Sequence, residues 1–130
     1  MNIDNNKRKE YPVFEGFLKY FPDAVMAVAN HSWKANEKHN PNTPVHWDRA
    51  KSTDEKDALA RHIIDLAKGE KFCEDGLRTS TSIAWRAMAN LQKELEEEKK
   101  EHKFGGLDYK KEKASILFND RLDKLAELIN

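Results

Sequence analysis

The stretch STDEKDALARHIIDLAKG, residues 52–69, decides the fold, because it carries a start signal, a body and a stop signal for one helix. Ser52 with Glu55 three places on is the pairing in which each side chain can satisfy a backbone amide beside the other. Gly69 ends the run, since glycine accepts the left-handed backbone that closes helices. Between these signals Leu59, Ile63 and Leu66 recur at helical spacing, and His62 shares their side. The pattern predicts a helix from Ser52 to Lys68 that turns Leu59, His62, Ile63 and Leu66 toward a core or a cleft in it. Asp57, Arg61 and Asp65 lie four apart on one ridge, where a ladder of exposed ion pairs contributes only about 0.2–0.5 kcal/mol per pair.

Upstream, Pro22 and Asp23 mark a helix start, because the missing amide costs nothing there and the carboxylate meets the positive helix end. Val25, Val28, Ala29 and Ser32 form the stripe of a helix reaching about Lys38, preceded by a short stripe of Phe14, Phe17, Leu18 and Phe21. HNPNTPVHWDRAK, residues 39–51, holds two prolines and reads as a loop, as does KFCEDGLRT, residues 71–79. Thr79 to Ser82 offer N-caps for a long helix with Ile83, Ala84, Ala87, Met88, Leu91 and Leu95 at helical spacing. Its charged continuation ELEEEKKEHK, residues 94–103, has no apolar side to hide, and Gly105 and Gly106 end it. A last helix is expected from about Glu112, with Phe118, Leu122, Leu125 and Ile129 on one side.

No alternating segment of strand length occurs, so the expectation is an all-α fold, a bundle of four to five helices. Residues 1–10 are expected as a flexible leader, 11–104 as the helical domain, and 105–130 as a C-terminal helix that packs on the core or on a partner subunit.

The 130 residues carry 23 Lys plus Arg and 23 Asp plus Glu, a formal net charge of zero. That argues against a whole-protein grip on a nucleic-acid polymer or an anionic membrane. No apolar run has membrane-spanning length, and MNIDNNKRKEY lacks the apolar centre of a signal peptide, so a cytoplasmic location is expected. Cys73 is alone, which excludes an internal disulfide and a thiolate zinc site within one chain. The glycine-rich phosphate loops, the hydrolase elbow and the HExxH zinc helix are all missing.

The residues left to carry chemistry are few. If the helix begun at Ser52 packs antiparallel to the one begun near Ser80, Asp75 in the loop between them approaches His62. Asp57 and Asp75 then make an oxygen-rich rim suited to Mg²⁺ or Mn²⁺, ions that chiefly hold polyphosphates. Trp47 beside His46, and Trp85 beside Arg86, offer flat faces for a base and a guanidinium for phosphate, although core packing would use either tryptophan equally well.

Through these residues the chain resembles the phage and bacterial dATP/dGTP diphosphohydrolase N-terminal family over about residues 21–97. The resemblance rests on Lys38 and His39 before a loop ending in Trp47, DALARH at residues 57–62, the EDG of residues 74–76, and the Ala-Trp step at Trp85. It implies a MazG-like all-α nucleotide pyrophosphohydrolase that cleaves a purine deoxynucleoside triphosphate between the α and β phosphates with Mg²⁺. In that reading Asp57 and Asp75 hold the ion, His62 and Asp57 are catalytic, and Lys38, Trp47, Arg61, Trp85 and Arg86 bind the purine nucleotide. The chain departs from the family pattern at Thr79, where relatives carry a histidine, and in lacking the two Glu-rich helix motifs of the wider MazG-like group. Two further readings stand beside the enzyme: a nucleotide-sequestering binder, and a helical interaction module that forms a homo-oligomer.

Overall fold

The computed structural model describes residues 4–105 and 120–129, and among them every regular element is helical. One turn, α1 (Asn5–Arg8), is capped by the Asp4 carboxylate, which accepts from the Asn6 amide at 2.8 Å. A π-helical turn follows at Phe14–Leu18, its wider ring closed by the Lys19 amide on the Phe14 carbonyl at 2.9 Å. The main elements are α2 (Pro22–His39), α3 (Glu55–Ala67) and α4 (Thr79–Gly105). A further helical stretch occupies residues 120–129, while the expected helix start at Glu112 and the apolar position Phe118 lie outside the described residues. Chain contacts divide the molecule into two compact units, residues 1–90 and 91–130.

The start of α2 follows the proline signal, with Pro22 in the first turn and Asp23 behind it. The start of α3 differs from the expected capping box. The cap is Asp54, which makes no capping hydrogen bond of its own. Its carboxylate is taken instead by the Ser52 hydroxyl at 3.1 Å and by Arg61 at 2.9 Å. The hydrogen bond from Arg61 holds the Asp54 carboxyl below its usual range.

The side of α3 that is buried also differs from expectation. Glu55 and Ala58 are its buried residues, whereas Ile63, Ile64 and Leu66 are exposed. At about 100° per residue, Glu55, Ala58 and His62 share one side of the helix. Among the described residues the buried apolar ones are Ala58, Leu77 and Ala89, and the buried polar ones are Asn36, Glu55, Thr79, Thr81 and Ser82.

Between α3 and α4 the chain makes a tight reversal. Phe72 and Arg78 form a single antiparallel bridge, the Gly76 amide reaches the Cys73 carbonyl at 2.9 Å, and the Asp75 carboxylate accepts from the Leu77 amide at 3.1 Å. Gly76 sits at φ +81°, a left-handed conformation that a side chain would strain. The reversal delivers Thr79, the most deeply buried side chain described, to the first position of α4. Its hydroxyl donates to the Glu70 carbonyl at 2.6 Å, and its amide to the Lys71 carbonyl at 2.9 Å. Thr79 therefore clamps the reversal through both its hydroxyl and its amide.

Thr79→Val keeps the shape and removes the hydroxyl, leaving the Glu70 carbonyl short of a donor. Chemical denaturation is expected to read a loss of about 1–3 kcal/mol, with Thr79→Ser losing less. An unchanged midpoint for Thr79→Val would contradict the clamp.

Candidate functional site

Within the first unit, the second half of α2, the loop that follows it and two residues of α4 enclose a cavity of about 570 Å³. That is the size of a small-molecule site rather than a packing defect. Asn36 fixes the outer wall. Its side-chain amide nitrogen donates to the Thr43 carbonyl at 2.9 Å, and the Thr43 hydroxyl donates in turn to the Asn40 carbonyl at 2.7 Å. These bonds staple the proline-bounded loop to α2, and Trp47 on that loop lines the cavity.

Trp85 forms the adjoining wall. Its indole N–H donates to the Ser32 hydroxyl at 2.9 Å, which fixes the ring from α2. His31 stacks on that ring with centroids 5.4 Å apart and planes 28° apart, and Trp47 meets it edge-on at 5.7 Å. The two indoles thus make an aromatic corner. Arg86 lies beside it, donating to the Ser52 hydroxyl at 3.1 Å and standing 3.8 Å from the buried Glu55 carboxylate. Arg49 covers Trp47 at 4.2 Å from the ring centre, a cation held on an electron-rich face.

Several buried polar atoms around this cavity have no hydrogen-bond partner: Nδ1 of His31, Oδ1 of Asn36 and Nε of Arg86, all on lining residues, and Nδ1 of His62. Burial lowers the pKa of His31 below 6.5, and the positive charge of Arg86 lowers it further, while Asp75 pulls the other way and His62 adds to the lowering. Asp75 and His62 are therefore near enough to His31 for their charges to be felt.

The structure sorts the residues expected from sequence. Trp47, Trp85 and Arg86 line the cavity. Lys38 is exposed and does not line it, and the lysine that does is Lys51. Arg61 points outward and pairs with Asp54 on the surface. Asp57 is exposed, and it stands about 140° around α3 from His62, because five residues advance a helix by that angle beyond a full turn. Asp75 has one oxygen engaged by the Leu77 amide. Among the described residues no group of three or more His, Cys, Asp or Glu side chains gathers to hold a metal ion. Asp57 and Asp75 are therefore joined by no third such side chain among the described residues.

The residues that sequence reasoning passed over are His31, Asn36, Ser52 and Glu55. A signal for the first two was present. The apolar stripe of α2 ends in Ser32, and one more turn on the same side reaches Asn36, so the stripe becomes polar where it meets the cavity. Glu55 offered no such signal, since an acid in a first helical turn usually serves the helix end.

The description "dATP/dGTP diphosphohydrolase, N-terminal" belongs to a family model that matches residues 4–103, extending the resemblance at both ends of residues 21–97. No curated protein and no solved structure matches the chain. No helix among the described residues is long and apolar enough to cross a membrane.

The position of His31 sets a pH dependence. Its folded pKa lies below 6.5, so as the pH falls through that value the unfolded chain takes up a proton that the folded chain refuses. Stability is expected to be at its plateau above that pH and to decline as the pH drops below it. Thermal melts of wild type and His31→Gln between neutral pH and pH 5 check this: the decline should be shallower in the variant, and parallel curves would contradict it.

Proposed function

Because the chain belongs to the dATP/dGTP diphosphohydrolase N-terminal family, we propose that its cavity receives a purine deoxynucleoside triphosphate and that the chain hydrolyses it to a monophosphate and pyrophosphate. The observation that carries this reading is the aromatic corner of Trp47 and Trp85 set directly beside Arg86. A base is a flat, polar, hydrogen-bonding group, and stacking on indole suits it whatever its sequence identity. Arg86 and Lys51 supply positive charge for the phosphates. His31, kept neutral near pH 7, is suited to accept a proton from an attacking water. Mg²⁺ and Mn²⁺, implied by the resemblance, would supply charge neutralisation on the phosphates when bound.

A second reading, a binder that sequesters the nucleotide unaltered, draws on the same cavity. It is favoured by Thr79, whose hydroxyl is spent on the Glu70 carbonyl. Assembly with further copies of the chain belongs with either reading, because α3 exposes Ile63, Ile64 and Leu66 while the buried apolar set is small. Light scattering of the intact chain should then return a multiple of 15.1 kDa, and the mass of one chain would overturn the assembly.

Incubation with each deoxynucleoside triphosphate, with and without Mg²⁺ or Mn²⁺, followed by anion-exchange chromatography separates the two functional readings. Monophosphate release from a purine substrate is expected. Binding by calorimetry without product supports sequestration, and neither binding nor product overturns both. Trp47→Ala, checked for fold by circular dichroism, should weaken nucleotide binding about tenfold or more if the base stacks there.

A further inference from the structure

We propose that Asp54 is a positioning residue for the phosphates of the ligand: from outside the cavity it directs the Ser52 hydroxyl, and Ser52 in turn aims the Arg86 guanidinium in the cavity wall. The inference rests on the reading of the cavity as a nucleotide site and names what directs its cation.

Four side chains form an unbroken series of hydrogen bonds from the surface to the cavity. Arg61 donates to one Asp54 carboxylate oxygen at 2.9 Å, Ser52 donates to the other at 3.1 Å, and Arg86 donates to the Ser52 oxygen at 3.1 Å. The directions follow from chemistry. A carboxylate can only accept and a guanidinium can only donate, so Ser52 offers its proton to Asp54 and a lone pair to Arg86. Donating to an anion makes the serine oxygen the stronger acceptor, because hydrogen bonds in series polarise one another. Glu55 does not supply the same aim. Its carboxylate stands 3.8 Å from Arg86, beyond hydrogen-bond reach, and so contributes charge rather than direction.

The use made of Asp54 points the same way. It is the N-cap residue of α3, where an aspartate ordinarily accepts from a backbone amide of the first turn. Here it makes no capping bond, and its two oxygens are turned to Ser52 and Arg61 instead. The pair with Arg61 is more than half exposed on both sides and adds little to stability. What it does is hold the carboxylate in place and ionised, since the Arg61 bond keeps that carboxyl below its usual range. Ser52 and Arg86 line the cavity and Asp54 does not, so Asp54 acts on a ligand through them.

The test titrates the intact chain by calorimetry with the α,β-methylene analogue of dATP or dGTP and with the matching deoxynucleoside, the weaker binder by competition. The readout is the factor by which the triphosphate is preferred. Asp54→Ala is expected to cut that factor about threefold or more and to leave deoxynucleoside binding unchanged. The sign is decisive, because loss of a negative charge by itself tightens the binding of an anion. Asp54→Asn, which keeps a weaker acceptor, should lose less, and it gives the same comparison if the alanine variant does not fold. Ser52→Ala should match the loss, the double variant should add little to it, and Ser52→Thr should retain the preference. An unchanged or increased preference in both Asp54 variants overturns the inference and leaves nucleotide binding intact, as does full additivity of the Asp54 and Ser52 losses. Equal binding of the two ligands by the wild type overturns the phosphate role of Arg86 and this inference with it. Failure of both to bind overturns the nucleotide site as well.

Discussion

Arg86 is the residue on which the first unit depends. From α4 it reaches the Ser52 hydroxyl and the buried Glu55 carboxylate, so that one side chain joins the long helix to the start of α3 and to the end of the loop before it. Among the described residues the buried apolar ones are an alanine, a leucine and a second alanine, so such a pair has little hydrophobic burial to compete with. Removing Arg86 would take a cation from beside the buried Glu55 carboxylate, which destabilises. The same pair explains which side of α3 faces inward. Glu55 is drawn to Arg86, Ala58 follows one turn on, and the isoleucines and Leu66 are left outside.

The cavity is a consequence of that arrangement. With Trp85 tied to Ser32 and Arg86 tied to Ser52 and Glu55, two consecutive residues of α4 are held in fixed directions, one aromatic and one cationic. The loop carrying Trp47 is pinned to α2 through Asn36 and Thr43. Three segments remote in sequence therefore place an indole pair, an imidazole and a guanidinium around one space. Membership of a nucleotide-hydrolysing family and the chemistry of this wall agree on the kind of molecule involved.

Helix boundaries were legible in the sequence wherever the signal is local. Pro22 and Asp23, Gly69, and Thr79 with its following hydroxyls act through the backbone of their own turn, and α2, α3 and α4 begin or end within a few residues of them. The inward side of α3 was not legible. Periodicity tells which residues share a side, but it ranks sides by apolar content, and here a buried carboxylate outweighed two isoleucines. For the same reason Asp57, which stands out in a written motif, is on the surface, while Glu55, two residues earlier, is buried. Trp47, Trp85 and Arg86 were found because their chemistry is distinctive at any position. Asn36 and His31 were not, because their importance comes from what they face across the cavity.

The three tryptophans give the most direct measurement of where a nucleotide sits. Trp47 and Trp85 line the cavity, whereas Trp33 is exposed on α2 away from it. In an ¹⁵N-labelled chain with the indole N–H signals assigned by single Trp→Phe variants, titration with a nonhydrolysable dATP or dGTP analogue should move the Trp47 and Trp85 signals and leave Trp33 in place. Movement of Trp33 alone, or saturable binding that leaves both cavity indoles unmoved, would contradict the site.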